Sequence, residues 1–146
     1  MIPRFVTSAL LGEPLTVHGD GHATRDWLYV DDDAEAIEAV IDAPLENVAG
    51  EVLNVATGID ISVTDIADAV LEQLGKPSTL RTFVAERAGQ VDRHIGSTDK
   101  MERLTGWRAR TSFEEGLART IAWYRENEVW WRGILQSETG ASVSSS

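Results

Sequence analysis

Short β-branched runs alternate with apolar stripes at helical spacing along this chain, which confines the fold to a mixed α/β unit. Phe5, Ala9 and Leu10 share one helical face before Gly12-Glu13-Pro14 breaks it. Leu15-Thr16-Val17-His18 alternates as a strand does and runs into Gly19-Asp20-Gly21. That turn predicts a hairpin with a second strand at Trp27-Leu28-Tyr29-Val30. A third strand is predicted at Val52-Leu53-Asn54-Val55 and a fourth at 80–84. Ser62-Val63-Thr64-Asp65 and Ser112-Phe113-Glu114-Glu115 have the spacing of capping boxes, each opening a helix with an apolar stripe. A shorter helix is predicted over 98–105, ending at Gly106-Trp107, and the segment 87–95 reads as polar and irregular. The acidic run Asp31-Asp32-Asp33 precedes another helical stripe, Ile37, Val40 and Ile41, and is read as a helix cap. From about Gln136 the chain is small and polar, so 1–135 is expected to form one lobe and 136–146 a disordered tail.

The chain has 146 residues, enough for one domain, and a formal charge of −11. Nucleic-acid binding rests on phosphate neutralisation, so an acidic chain without a basic stripe argues against it. The same charge disfavours anionic membrane surfaces. A phosphorylated small ligand is still possible, because a few arginines can converge in one pocket whatever the net balance. There is no cysteine, no apolar run long enough for a membrane span and no secretory pattern at Met1-Ile2-Pro3-Arg4-Phe5. A cytoplasmic location is the expectation.

Several chemistries lack their residues. Neither tyrosine begins a Tyr-x-x-x-Lys, since Asp33 follows Tyr29 and Glu128 follows Tyr124 at that spacing. Gly19-Asp20-Gly21-His22-Ala23-Thr24 lacks the third glycine of a dinucleotide fingerprint and leads into a strand instead of a helix. His18, His22 and His94 have no metal-binding spacing, and no serine sits in a Gly-x-Ser-x-Gly elbow. No catalytic, cofactor-binding or metal-binding residue is expected here.

Two segments carry a positive signal: Leu15 to Asp32, with Arg25-Asp26-Trp27 at its centre, and Glu86-Arg87-Ala88-Gly89-Gln90-Val91-Asp92-Arg93-His94. Both resemble the carboxy-terminal lobe of extended short-chain dehydrogenase/reductases that act on sugar nucleotides, the NAD-dependent epimerase/dehydratase family. Gly106-Trp107, Ser112 to Leu117, and Thr120 to Asn127 followed by Trp130 resemble the ending of its dTDP-glucose 4,6-dehydratase branch. The resemblance implies an α/β carboxy-terminal lobe lacking the amino-terminal Rossmann domain, which in the family holds NAD and the Tyr-x-x-x-Lys pair. It implies a nucleotide-diphosphate sugar as ligand, with Arg25 and Arg87 converging on the diphosphate. A guanidinium suits that task because its fork of donors matches phosphate oxygens; an ion pair with Asp26 or another surface acid is the plainer reading of Arg25. Gln90 matches the polar residue just after Arg87, and Arg93 is a neighbour. Thr16 and His18 match positions lining the base and ribose, and Asn54 either faces the nucleotide or bonds local backbone. Ala88 departs from the family's usual proline. Tryptophans 107, 123, 130 and 131 are expected to pack the lobe.

The resemblance therefore predicts the sugar-nucleotide-binding part of an NAD-dependent 4,6-dehydratase or 4-epimerase, catalytically incomplete alone, with no cofactor of its own. The alternative is a stand-alone binding or interaction module derived from such an enzyme. Without the parallel sheet, the Leu53-Asn54-Val55 strand would lose its neighbour, so the chain is expected to self-associate as a homo-oligomer through the exposed lobe surface.

Overall fold

The computed structural model describes residues 1–89 and 91–141, with side chains as far as Gln136. In chain order the elements are α1 (Ile2–Leu11), β1 (Leu15–His18), β2 (Thr24–Asp26), α2 (Val30–Asp42), α3 (Leu45–Val48), β3 (Asp60–Ser62), α4 (Val63–Leu74), β4 (Arg81–Val84), β5 (Arg93–His94), α5 (Asp99–Thr105), α6 (Phe113–Glu126) and α7 (Glu128–Ala141). The helices predicted from local signals form where those signals lie. Gly12 takes a left-handed conformation (φ +75°), and the N–H groups of Gly12 and Glu13 close α1 on the carbonyls of Ala9 and Ser8. The Ser62 hydroxyl accepts the Asp65 N–H at 3.0 Å and the Ser112 hydroxyl accepts the Glu115 N–H at 3.2 Å.

The strands form two small sheets. β1 pairs in parallel with β4, Leu15 opposite Arg81 through His18 opposite Val84. β2 lies between β3, antiparallel to it, and β5, parallel to it. Alternation along β1 buries Leu15 and Val17 completely and leaves Thr16 and His18 half-buried. The main core joins these side chains to Phe5, Val6 and Ala9 of α1, Ile66, Ala67, Val70 and Leu71 of α4, and Leu117 and Ile121 of α6. Burying an aliphatic side chain of the size of Leu15 or Ile66 contributes roughly 2 kcal/mol. A second, smaller cluster of Ala36, Met101 and Trp107 packs under Leu28, Leu53 and Val55.

Several expectations change. The turn at 19–21 does not make a hairpin: β1 and β2 belong to different sheets, and the turn hands the chain from one to the other. Asp20 shapes it by accepting the His22 N–H at 2.9 Å, and Gly19 and Gly21 supply its positive φ angles. The strand predicted at Trp27–Val30 forms earlier, at Thr24–Asp26. Val30 already opens α2, Trp27 packs against the main core, and the ring of Tyr29 lies over Gly116 of α6. The segment 52–55 forms no ladder. An extended run becomes a strand only where another chain takes up its backbone groups, and here the Lys100 ammonium donates to the Val52 carbonyl at 3.1 Å.

The acidic run sits in the first turn of α2, where its charge complements the helix dipole, but it makes no side-chain cap. Asp32 is instead buried, and its carboxylate accepts the Thr111 N–H at 2.9 Å, tying α2 to the approach of α6. Trp107 and Trp131 are buried as expected, whereas Trp123 and Trp130 are 43% and 59% exposed and meet edge to face. α7 runs through Ala141, so 136–141 of the expected tail lie on that helix, and 142–146 fall outside the described residues. Among the described residues no helix is long and apolar enough to cross a membrane.

Candidate functional site

Two loops bridge the two sheets side by side. The turn 19–23 leads from β1 to β2, and the segment 85–92 leads from β4 to β5. They are pinned at both ends: the Gly19 N–H donates to the Val84 carbonyl at 3.0 Å and the Thr24 N–H to the Asp92 carbonyl at 2.7 Å. The candidate binding residues lie at or beside this double bridge.

At one end, Thr16, His18 and Arg87 line a hollow of about 270 Å³ with Met1, Arg4, Phe5 and Val63. Alternation along β1 brings Thr16 and His18 to the same face. The His18 Nδ1 donates to the Ala85 carbonyl at 3.2 Å. A neutral ring bonded that way presents Nε2 as an acceptor, suited to a hydroxyl or a base N–H. Arg4, one turn into α1, adds a second guanidinium to this hollow.

At the other end, Arg25 and Asn54 line a larger, open hollow of about 590 Å³ with Asp26, Leu28, Leu53, His94 and Gly96 among its walls. The Arg25 Nη1 donates to the Thr24 carbonyl at 2.6 Å, which holds one arm of the fork against the sheet and leaves its other donors to the hollow. The Asn54 amide donates to the Ser97 carbonyl at 3.4 Å, a backbone partner 43 residues away and not the local one the sequence offered. A Cβ on Gly96 would stand 2.9 Å from that of Ala56, so the 51–57 segment and the 95–97 segment meet at a contact that suits glycine.

The alternative reading of Arg25, an ion pair with Asp26 or another surface acid, is not seen among the described residues, and the Asp26 carboxylate is engaged elsewhere. One oxygen accepts the Thr57 N–H at 2.9 Å and the Thr57 hydroxyl at 2.6 Å, and the other accepts the Gly58 N–H at 2.9 Å. This carboxylate anchors the end of the segment that carries Asn54.

Arg93 is placed differently from the sequence expectation. Its guanidinium makes a bidentate pair with Asp60, Nε at 2.7 Å and Nη2 at 3.1 Å, and the Thr24 hydroxyl donates to the same carboxylate at 2.6 Å. Arg93 thus braces β5 against β3 across β2. Gln90 lies outside the described residues. Neither hollow contains both Arg25 and Arg87, so their meeting on one diphosphate is a matter for proposal. Sequence reasoning missed His94 and Arg4, which join the two arginines in their respective hollows, and the anchoring role of Asp26.

The Arg93 guanidinium and the Thr24 hydroxyl hold the Asp60 carboxyl well below the usual carboxylate range. A depressed carboxylate adds stability that is present above its unfolded-state value and is lost as pH falls through the folded one. Stability should therefore fall on acidification from about pH 4 downward. Urea denaturation of Asp60→Asn across pH 2–6 should show a flatter acid limb than the parent chain.

The glycine turn at 19–21 opens β2 and not a helix, so this turn offers no helix N-terminus to a dinucleotide pyrophosphate. Among the described residues no three or more histidines and carboxylates gather as metal ligands.

Comparison with known proteins fits this geometry. The family model described as GDP-mannose 4,6 dehydratase matches residues 1–120. A dTDP-glucose 4,6-dehydratase of Neisseria meningitidis serogroup B is 38% identical over 146 residues, covering 92% of this chain and 40% of the relative. A trifunctional UDP-glucose 4,6-dehydratase/epimerase/reductase of Arabidopsis thaliana is 39% identical over 135 residues, covering 92% of this chain and 20% of its own length. Among solved structures, a dTDP-glucose 4,6-dehydratase of Streptomyces venezuelae holding NAD superposes with a TM-score of 0.82 at 37% identity, covering 89% of this chain and 39% of that one. A UDP-glucose 4-epimerase of Thermotoga maritima with UDP-glucose gives a TM-score of 0.80 at 28% identity, covering 86% and 39%. The chain thus spans about 40% of the length of the bacterial dehydratases it matches. With a family match across most of its residues and an α/β fold that superposes on part of each of these enzymes, the chain belongs to the GDP-mannose 4,6-dehydratase family of extended short-chain dehydrogenase/reductases as a carboxy-terminal lobe.

Proposed function

We propose that this chain is the sugar-nucleotide-binding part of an NAD-dependent 4,6-dehydratase or 4-epimerase. Its role is to hold and orient the nucleotide; the hydride chemistry belongs to family parts outside these residues. The observation that carries the reading is the double bridge, with a hollow lined by Thr16 and His18 at one end and a hollow lined by Arg25 at the other, which supports a base and ribose at the first and phosphate at the second. Arg87 rides on the loop between them. A nucleoside diphosphate laid along the bridge would put its base beside His18 and its phosphates within the reach of both guanidinium groups. The Asp60 carboxylate is paired with Arg93, and that of Asp26 accepts hydrogen bonds from Thr57 and Gly58, so neither is drawn into an ion pair with Arg25.

Calorimetric titration with dTDP, UDP and GDP tests the reading. One of the three should bind, and Arg25→Ala should weaken it by about tenfold to a hundredfold, the loss expected when a charge-assisted bond to phosphate is removed. A folded chain that binds none of the three nucleotides contradicts the proposal.

A further inference from the structure

We infer that His94 is a second phosphate-binding residue of the Arg25 hollow, taking the place that sequence resemblance alone would give to Arg93. This inference rests on the nucleotide-binding reading above and adds a specific residue to it.

The geometry comes from the register of β2 and β5. Thr24 stands opposite Arg93 and Arg25 opposite His94 in a parallel pair. Side chains alternate between the two faces of a strand, so paired positions share a face and successive positions do not. Thr24 and Arg93 go together to the Asp60 carboxylate. Arg25 and His94 go together to the open hollow, which both line with Asn54. A two-residue strand thus sorts its two basic side chains, one to a structural brace and one to the cavity.

The chemistry of the pair suits a diphosphate. Arg25 has one arm fixed on the Thr24 carbonyl, so it approaches a ligand from a set direction with the rest of its fork. The imidazole of His94 makes no hydrogen bond among the described residues, and in either tautomer it carries one N–H that a phosphate oxygen can accept. Donors on adjacent strands, at neighbouring positions of one face, are spaced to reach two oxygens of one phosphate group or of two linked ones. Arg93 cannot join them without giving up a bidentate pair whose rupture would leave the Asp60 carboxylate on Thr24 alone.

The test is calorimetry on the whole chain with dTDP, dTMP and thymidine, using the parent sequence, His94→Ala, His94→Gln and Arg93→Ala, each checked for an unchanged melting curve or corrected for its folded fraction. His94→Ala should weaken dTDP roughly fivefold to tenfold, weaken dTMP less and leave thymidine unchanged, as expected for one lost neutral donor to phosphate. His94→Gln, which restores an N–H, should recover most of the loss. Arg93→Ala should lower stability while leaving dTDP affinity of the folded chain within about twofold, as for a group outside the contact. A parent chain that binds dTDP while His94→Ala binds it equally well overturns this assignment alone. A parent chain that binds none of dTDP, UDP and GDP overturns the underlying reading and this assignment together; if UDP or GDP binds in place of dTDP, the same series is read on that diphosphate, its monophosphate and its nucleoside.

Discussion

Gly21→Ala is expected to destabilise the chain by about 3 kcal/mol, the sum of a strained left-handed backbone and a clash in a packed site. Gly21 has φ +76° and is buried in the turn that hands the chain from β1 to β2. A Cβ there would fall 2.1 Å from the Thr64 hydroxyl oxygen and 2.8 Å from a methyl of Val17. Neither neighbour can yield easily. Val17 is fully buried in the main core, and the Thr64 N–H donates to the Gly21 carbonyl at 3.1 Å, which draws the start of α4 against the turn. For a domain of this size the midpoint of thermal unfolding should drop by roughly 6–12 °C. Gly12→Ala provides the comparison. Gly12 also has positive φ but open space around it, so only the backbone strain should appear, about 1 kcal/mol. Equal effects for the two variants in a thermal melt would show that the close approach at Gly21 does not matter.

Asp26→Ala should cost about 2–3 kcal/mol and also loosen the Arg25 hollow. Three donors from Thr57 and Gly58 converge on this one carboxylate. Removing it strands two backbone N–H groups of a turn and frees the end of the 51–57 segment, which forms no ladder of its own. Asn54 and Ala56 on that segment line the hollow, so the loss should reach binding as well as folding. Asp26→Asn should recover only part of the stability, because its amide nitrogen would face a backbone donor where an acceptor is needed. Urea denaturation reads the first effect, and nucleotide titration at a temperature where the variant is folded reads the second. Full stability for Asp26→Ala would mean that the turn at 57–58 holds itself.

These two positions show which parts of the fold were legible in the sequence. α1, α4 and α6 were, because the cap and the stop of a helix are local: Gly12 ends α1, Ser62 opens α4 and Ser112 opens α6 within three or four residues of the groups they satisfy. Pairing is not local. β2 finds its partners far along the chain, at 60–62 and 93–94, and nothing near Trp27 announces that the ladder ends before that residue. The aromatic and β-branched run 27–30 reads as a strand because such residues also suit the packing that Trp27 and Tyr29 provide.

The same distinction divides the candidate site. Thr16 and His18 could be placed on one face from alternation in a four-residue strand. Arg93 and His94 could not be told apart that way, since a shift of one residue in register exchanges their faces. Only the paired structure shows that Arg93 turns to Asp60. Asp26, first read as a possible partner of its neighbour Arg25, is bound to residues about thirty positions away. Short-range sequence logic favours such neighbouring pairs, but the strand points adjacent side chains to opposite faces.

The central claim is that Arg25 and Arg87, carried on different strands and loops, serve one nucleotide. The most direct measurement is an NMR titration of the chain with dTDP that follows the Nε–H resonances of both arginines. The claim predicts that both shift, with a single dissociation constant, and that Arg125 on α6 stays in place. Movement of only one of the two, or different constants for them, would contradict it.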